Sequence, residues 1–340
     1  MKKILLIATG GTIASGYTEE GLAPKFSASE LLKYVEEHRE FCRVEVLQPF
    51  NLDSTNICGR HWLELADVIE KNYGDYDGFV ICHGTDTMAF TAAALSYLVQ
   101  NSRKPIVVTG SQKPINLPVT DARTNLMDSL RFASDSKAHG VNIVFGGNVI
   151  AGTRAKKERS KSYNAFSSIN YPSVAVIRDG RIVFYIDDKE KAEGDVRFYH
   201  TLNEKVLLLK LVPGMDGSIL NRLFPCYDGV IIEAFGVGGF PEYGEVPFYP
   251  EIQRWTDAGK IVMLATQVTH EGSDMEVYQV GRAIKEKFHL MEAYDMTLEA
   301  TVTKAMWAMG LATNGEQFRR LFYETVNHDI LLTPENPYQG

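Results

Sequence analysis

The chain has 340 residues, of which 45% are hydrophobic and 23% charged, with a formal net charge of −8. This is ordinary globular composition, long enough for one large or two medium domains with a real core. The acidic balance excludes a broad attraction to nucleic-acid phosphates or anionic membranes, and no run approaches the roughly eighteen apolar residues of a membrane span.

In chain order, Lys2 to Ala14, KKILLIATGGTIA, open the protein as a buried strand that runs into a glycine-bracketed threonine. Gly10 and Gly11 allow a sharp turn and a close approach to the backbone, and Thr12 carries a hydroxyl at the strand's carboxyl end, where open α/β sheets bind ligands. Residues 15–25 read as a long polar loop, of the kind that serves as a lid. Ser27 or Ser29 is expected to cap a helix reaching about Arg39. A strand RVEVLQPF, a polar loop NLDSTNI and a helix from about Arg60 to Asn72 follow.

The apolar run Gly78 to Cys82 predicts the next buried strand, ending in HGTDT. After it come the alanine-rich helix TMAFTAAALSYLVQ, the strand KPIVVTGS, the helix DARTNLMDSLRFAS and the strand VNIVFGG. This alternation predicts a mainly parallel sheet with helices on both faces. Beyond Gly152 the text turns basic and aperiodic, then VAVIRDGRIVFYID predicts a β-hairpin turned at Asp179 and Gly180. Residues 187–203 are charged and aperiodic and are expected to be a linker, between an N-terminal domain at 1–186 and a smaller C-terminal α/β domain at 204–340.

HGTDT repeats the logic of the opening turn, with Thr85 and Asp86 just before a helix. Asp86 also suits the helix N-cap. Two hydroxyls beside glycine turns, at the ends of two strands, form one site if the strands are neighbours. A threonine hydroxyl is a weak nucleophile and needs a base or a proton path to one. Cys82 beside His83 has the pairing of a thiolate nucleophile, but its place at the end of an apolar run reads as a small buried hydrophobe. A dinucleotide loop is excluded at residues 9–12 by its glycine spacing.

TGGTIA and HGTDTMAFTA, with LDSTNI between them, resemble the L-asparaginases of the bacterial type, particularly the cytoplasmic type I enzymes. The resemblance extends through VTGSQKP, GTRAKK, FGVGGFP and DMTLEAT over nearly the whole chain. It implies hydrolysis of L-asparagine to L-aspartate and ammonia through a threonine acyl-enzyme, with weak glutamine hydrolysis as a side activity. It implies that Thr12 is the nucleophile, and that Thr85, Asp86 and Lys157 move protons and activate water. It further implies that Asp53, Ser54 and Thr55 hold the substrate's α-carboxylate while Asp86 faces its α-ammonium. A homodimer or homotetramer is implied as well.

The chain departs from the family at Leu22, where a lid tyrosine is usual; Tyr17 lies in the same loop. It departs again at Val268, where some type I enzymes carry a cysteine near an allosteric site. No cofactor or metal is called for: His270 and Glu271 are adjacent, and neighbours in sequence rarely ligate one ion. The four cysteines, Cys42, Cys58, Cys82 and Cys226, lack metal-type spacing and read as reduced thiols. With no secretory leader in view, a cytoplasmic location is expected.

Two other readings compete. An amino-acid binding protein would use the same cleft without turnover, yet would need neither nucleophile nor lysine. An ammonia-generating amidotransferase subunit resembles an asparaginase with a further domain in front, whereas strand residues here begin at Ile4.

Overall fold

The structure, a computed structural model, describes residues 1–18, 21–188, 194–239, 241, 246–277, 279–288 and 290–332. The chain divides into two compact units, Met1–His200 and Thr201–Gly340.

The first unit is built on an eight-stranded sheet. Its strand order is Arg181–Phe184, Ala175–Arg178, Asn148–Ala151, Gly140–Phe145, Pro105–Thr109, Gly78–Cys82, Lys2–Ala8 and Cys42–Leu47. The last five of these run parallel. The opening strand is the last but one in this order, yet it is buried on both faces. Ile4 and Leu6 share a core with Val80, Val107, Leu126 and Leu130. Alternation turns Leu5 and Ile7 to the other face, where they too are buried. The helix Met88–Leu98 has a small-residue surface buried on nearly every side, and it packs on the Gly140–Phe145 strand.

Several elements differ from the expectation. The parallel set is extended by three antiparallel strands, because Gly146 and Gly147 take positive φ (58° and 72°) and reverse the chain into Asn148–Ala151. The predicted hairpin at Asp179 and Gly180 forms the sheet's edge, both residues having positive φ. The basic stretch after Gly152 holds a hairpin of its own, Ala155–Lys157 against Phe166–Ser168. The helix expected to reach Arg39 stops at Leu32, after Ser27 and Glu30 form a capping box at its start; a 3-10 turn, Glu36–Glu40, follows. The polar loop at 15–25 contains paired strands, Ser15–Thr18 and Gly21–Pro24, with Tyr17 opposite Leu22 in the register.

Of the expected linker, residues 189–193 lie outside the described residues, while Arg197–Phe198 pairs with Val99–Gln100 in the first unit. The second unit has a parallel sheet ordered Val206–Lys210, Gly229–Ala234, Ile261–Thr266 and Met291–Glu292. Its last two helices are Leu298–Leu311, capped by Thr297, and Gly315–Tyr323. The helix Gln279–Phe288 falls in a stretch where the sequence suggested none.

Candidate functional site

The strands that carry the two threonine motifs are neighbours: Lys2–Ala8 pairs with Gly78–Cys82 on one side and with Cys42–Leu47 on the other. Their carboxyl ends are knitted together by backbone. Thr9 N–H donates to the Cys82 carbonyl at 3.0 Å, Leu52 N–H to the Thr9 carbonyl at 2.8 Å and Gly11 N–H to the Leu52 carbonyl at 3.2 Å.

Glycine permits this approach. Gly11 has φ of 80°, and a Cβ there would sit 2.5 Å from Gly84 Cα, against backbone that cannot yield. A Cβ on Gly84 would in turn meet Ser54 Oγ at 2.6 Å. The residues that follow Gly11 and Gly84 are Thr12 and Thr85, so both hydroxyl-bearing residues are set by glycines in mutual contact. Gly11→Ala is therefore expected to cost about 3 kcal/mol through positive φ and backbone collision together, lowering the melting temperature by roughly 5–10 °C. An unchanged melting curve would show that these loops are not tightly seated.

Thr12 begins a single 3-10 turn, Thr12–Ala14, and is half-buried. Among the described residues its hydroxyl has no hydrogen-bond partner. Thr85 is buried, and its Oγ1 receives a hydrogen bond from Lys157 Nζ at 2.8 Å. The same ammonium lies 2.6 Å from Asp86 Oδ1. The Lys157 side chain is only 16% exposed, whereas that of Asp86 is 61% exposed. A lysine that reads as a solvated member of a charge run is thus turned inward, because the Ala155–Lys157 strand pairs with Phe166–Ser168 and presents it to the Thr85 loop. Asp86 is not the helix N-cap. That position falls to Thr87, whose hydroxyl donates instead to the Ser54 carbonyl at 2.7 Å and ties the second motif to the 53–55 loop.

In that loop the Asp53 carboxylate is engaged locally, accepting from Thr55 N–H at 2.9 Å and Thr55 Oγ1 at 2.8 Å. It caps the short turn Ser54–Asn56. Ser54 is buried while Asp53 and Thr55 are exposed. The structure thus gathers the 9–12, 53–55 and 83–87 loops at one end of the sheet, with Lys157 bonded to the third. The side chains of Tyr17 and Leu22 lie outside what is described. Val268, in the second unit, is half-exposed.

Two supports are not apparent from sequence alone. His83 is fully buried, its Nδ1 at 2.7 Å from the Gly84 carbonyl and its Nε2 at 2.9 Å from Thr91 Oγ1. Trp62 Nε1 donates to Thr91 Oγ1 at 3.0 Å, so the threonine donates to Nε2 and the histidine is neutral with its proton on Nδ1. Burial holds its pKa down to about 4 from an ordinary 6.5. Since the unfolded imidazole protonates first, stability should fall as pH drops from about 6.5 towards 4, by up to about 1.4 kcal/mol per unit. Urea titrations of wild type and His83→Gln at pH 7 and pH 5 test this: the variant should lose less on acidification, and parallel losses would refute it. Buried Asp128, pushed up to about 6 by desolvation, acts in the opposite direction in both proteins, so the comparison isolates the histidine. Cys82 is likewise buried, its thiol pushed up to about 12, which removes it as a nucleophile.

The second support is the 110–113 loop. Asp121, buried ahead of the Ala122–Ser134 helix, accepts from Gln112 N–H at 2.8 Å and Lys113 N–H at 3.1 Å. Desolvation raises its pKa from the usual carboxylate value. Gln112 points back to Thr85, with Oε1 at 3.5 Å from the hydroxyl. The VTGSQKP motif marks this loop in sequence, but nothing local marks the glutamine's partner.

The described residues also bring Asp67, Glu70 and His200 together on the surface, away from these loops in sequence. His200 is held there by the carboxylates of Asp67 and Glu70, at 3.0 Å and 3.4 Å.

Comparison with known proteins gives a consistent result. Residues 3–190 match the family Asparaginase, N-terminal, and residues 205–322 match the Glutaminase/Asparaginase C-terminal domain. The chain is 36% identical to an L-asparaginase of Thermococcus kodakarensis over 96% of this chain and 99% of that one. It is 34% identical to a glutamyl-tRNA(Gln) amidotransferase subunit of Pyrococcus abyssi, over 98% of this chain and 77% of that one. The solved structure of the thermostable L-asparaginase from T. kodakarensis superposes with a TM-score of 0.90 at 34% identity, covering 97% of this chain and all of that one.

Proposed function

This chain belongs to the asparaginase family, and from that premise we propose that it hydrolyses L-asparagine to L-aspartate and ammonia, with glutamine as a weaker substrate. The observation that carries the reading is the bonded trio of Lys157, Thr85 and Asp86, set beside Thr12 by glycine contacts at the ends of adjacent strands. A binding protein has no use for a lysine joined to a buried hydroxyl.

In the proposed sequence, Thr12 Oγ attacks the side-chain amide carbon, forming a C–O bond and placing negative charge on the amide oxygen. Backbone N–H groups at the glycine turns stabilise that charge. The C–N bond then breaks as the nitrogen takes up the proton that the Thr12 hydroxyl gives up, and ammonia leaves an acyl-threonine. Water then attacks the ester carbon while Thr85 and Lys157 relay its proton to Thr12 Oγ, so that the C–O bond to Thr12 breaks, aspartate leaves and the Thr12 hydroxyl is restored. The 53–55 loop receives the α-carboxylate through Ser54 and backbone N–H groups, and through Thr55 once its hydroxyl turns away from the Asp53 carboxylate. The Asp53 side chain orders that loop, and the exposed Asp86 carboxylate faces the α-ammonium. We further propose that the protein works in the cytoplasm, where a reducing environment suits its four free cysteines, and that it does so as a homodimer or homotetramer.

The P. abyssi amidotransferase subunit is similar as well, at 34% identity against 36% for the T. kodakarensis L-asparaginase. One methylene separates asparagine from glutamine, a difference worth only about 1–3 kcal/mol in a pocket, so the two are best ranked by experiment. Ammonia release should be measured from each by the purified protein, with oligomeric state read from light scattering. Release from asparagine in excess of glutamine is expected; release from neither would overturn the reading.

A further inference from the structure

Thr85 Oγ1 has one hydrogen and accepts one from Lys157 Nζ at 2.8 Å, which leaves its own hydrogen to find a partner. Among the described residues its acceptor is Gln112 Oε1 at 3.5 Å, a long contact of the kind that tightens when substrate closes a site. The orientation of that amide is settled by its other end. Gln112 Nε2 donates to two backbone carbonyls, Ser162 at 3.1 Å and Arg159 at 3.3 Å, so a flipped amide would set its oxygen against both.

The Gln112 backbone is itself anchored. Its N–H is held by Asp121 at 2.8 Å, and Asn125 Nδ2 bonds both the Gly110 carbonyl at 2.9 Å and Asp121 Oδ2 at 3.2 Å. Arg159 and Ser162 lie in the segment that follows Lys157. One half-buried side chain therefore spans the Thr85 hydroxyl and the segment leading away from the lysine. None of its hydrogen bonds among the described residues runs to the 53–55 loop.

Resting on the hydrolase reading above, we infer that Gln112 is a positioning residue of the proton relay: it directs the Thr85 hydroxyl and braces the Lys157 segment, and it contributes to kcat rather than to substrate affinity. A relay loosened by even 1 Å can lose about a hundredfold in rate. Gln112→Met preserves length and removes both hydrogen-bonding ends. Gln112→Glu keeps an acceptor facing Thr85, loses the donors and adds a negative charge that retains protons nearby.

The test is kcat and KM for asparagine against pH, with melting temperatures, for wild type and both variants. In Gln112→Met, kcat should fall at least tenfold with KM within twofold. Gln112→Glu should recover part of the rate, with the rising limb of its kcat profile moved to higher pH by more than half a unit. The inference is overturned if Gln112→Met keeps kcat within twofold of wild type, if its KM rises in step with the loss of rate, or if the Gln112→Glu profile superposes on that of wild type. Should Gln112→Met fail to fold, the profile of Gln112→Glu decides. An inactive wild type would overturn the hydrolase reading itself, and this inference with it.

Discussion

Thr12→Ala should abolish ammonia release from asparagine, by roughly ten-thousand-fold or more, while leaving the fold intact. The size follows from the proposed role: alanine removes the atom that would form the covalent bond, and removing a nucleophile outright costs more than removing a supporting group. The fold should survive because Thr12 is only half-buried and its hydroxyl has no hydrogen-bond partner among the described residues. The variant should melt within a degree or two of wild type, and aspartate should still raise its melting temperature by mass action. Retained turnover would remove Thr12 from the chemistry. A loss of aspartate binding would make it a binding residue instead.

Lys157→Met is the second large effect, an expected loss of about a thousandfold in kcat with aspartate binding retained. Methionine keeps most of the length and the apolar stem but cannot exchange a proton with Thr85 Oγ1, now 2.8 Å from the ammonium. The Asp86 carboxylate that loses its cation is 61% exposed, so water can solvate it and the stability cost should stay small. Single-turnover kinetics would sharpen the result, since a fault in water activation should let acyl-enzyme accumulate. Full activity would mean that the lysine merely neutralises a surface carboxylate.

Much of this architecture can be read from local pattern. Wholly apolar runs such as Gly78–Cys82 announce buried parallel strands, and glycines after them announce the turns that carry Thr12 and Thr85. Elements whose stability comes from distant partners cannot be read in the same way. Asn148–Ala151 is four residues long and is a strand because Gly140–Phe145 lies beside it. The Ala155–Lys157 strand is three residues long, inside a run of charges that by itself describes a solvated loop. For the same reason Lys157 was legible only through resemblance to a family, and the reach of Gln112 to Thr85 was not legible at all: 27 residues separate the two. The helix after Ser27 shows the converse, because its cap was evident while the later break into a 3-10 turn was not.

The reversal at Gly146 and Gly147 also has a bearing on how the protein comes to life. Thr12, Ser54 and Thr85 all stand at the ends of parallel strands complete by Phe145, whereas Lys157 arrives only after the chain has doubled back. Its bond to Thr85 closes a separation of 72 residues, hardly different from the 73 between Gly11 and Gly84; what sets it apart is its later place in the chain and its dependence on a hairpin of three paired residues, too short to hold by itself. A chain emerging from the ribosome would thus hold Thr12, the proposed nucleophile, in place while still lacking Lys157, the proposed proton relay. Refolding experiments should see helix and sheet signals return before hydrolysis does, with the final seating of one short hairpin setting the moment at which the enzyme starts to work.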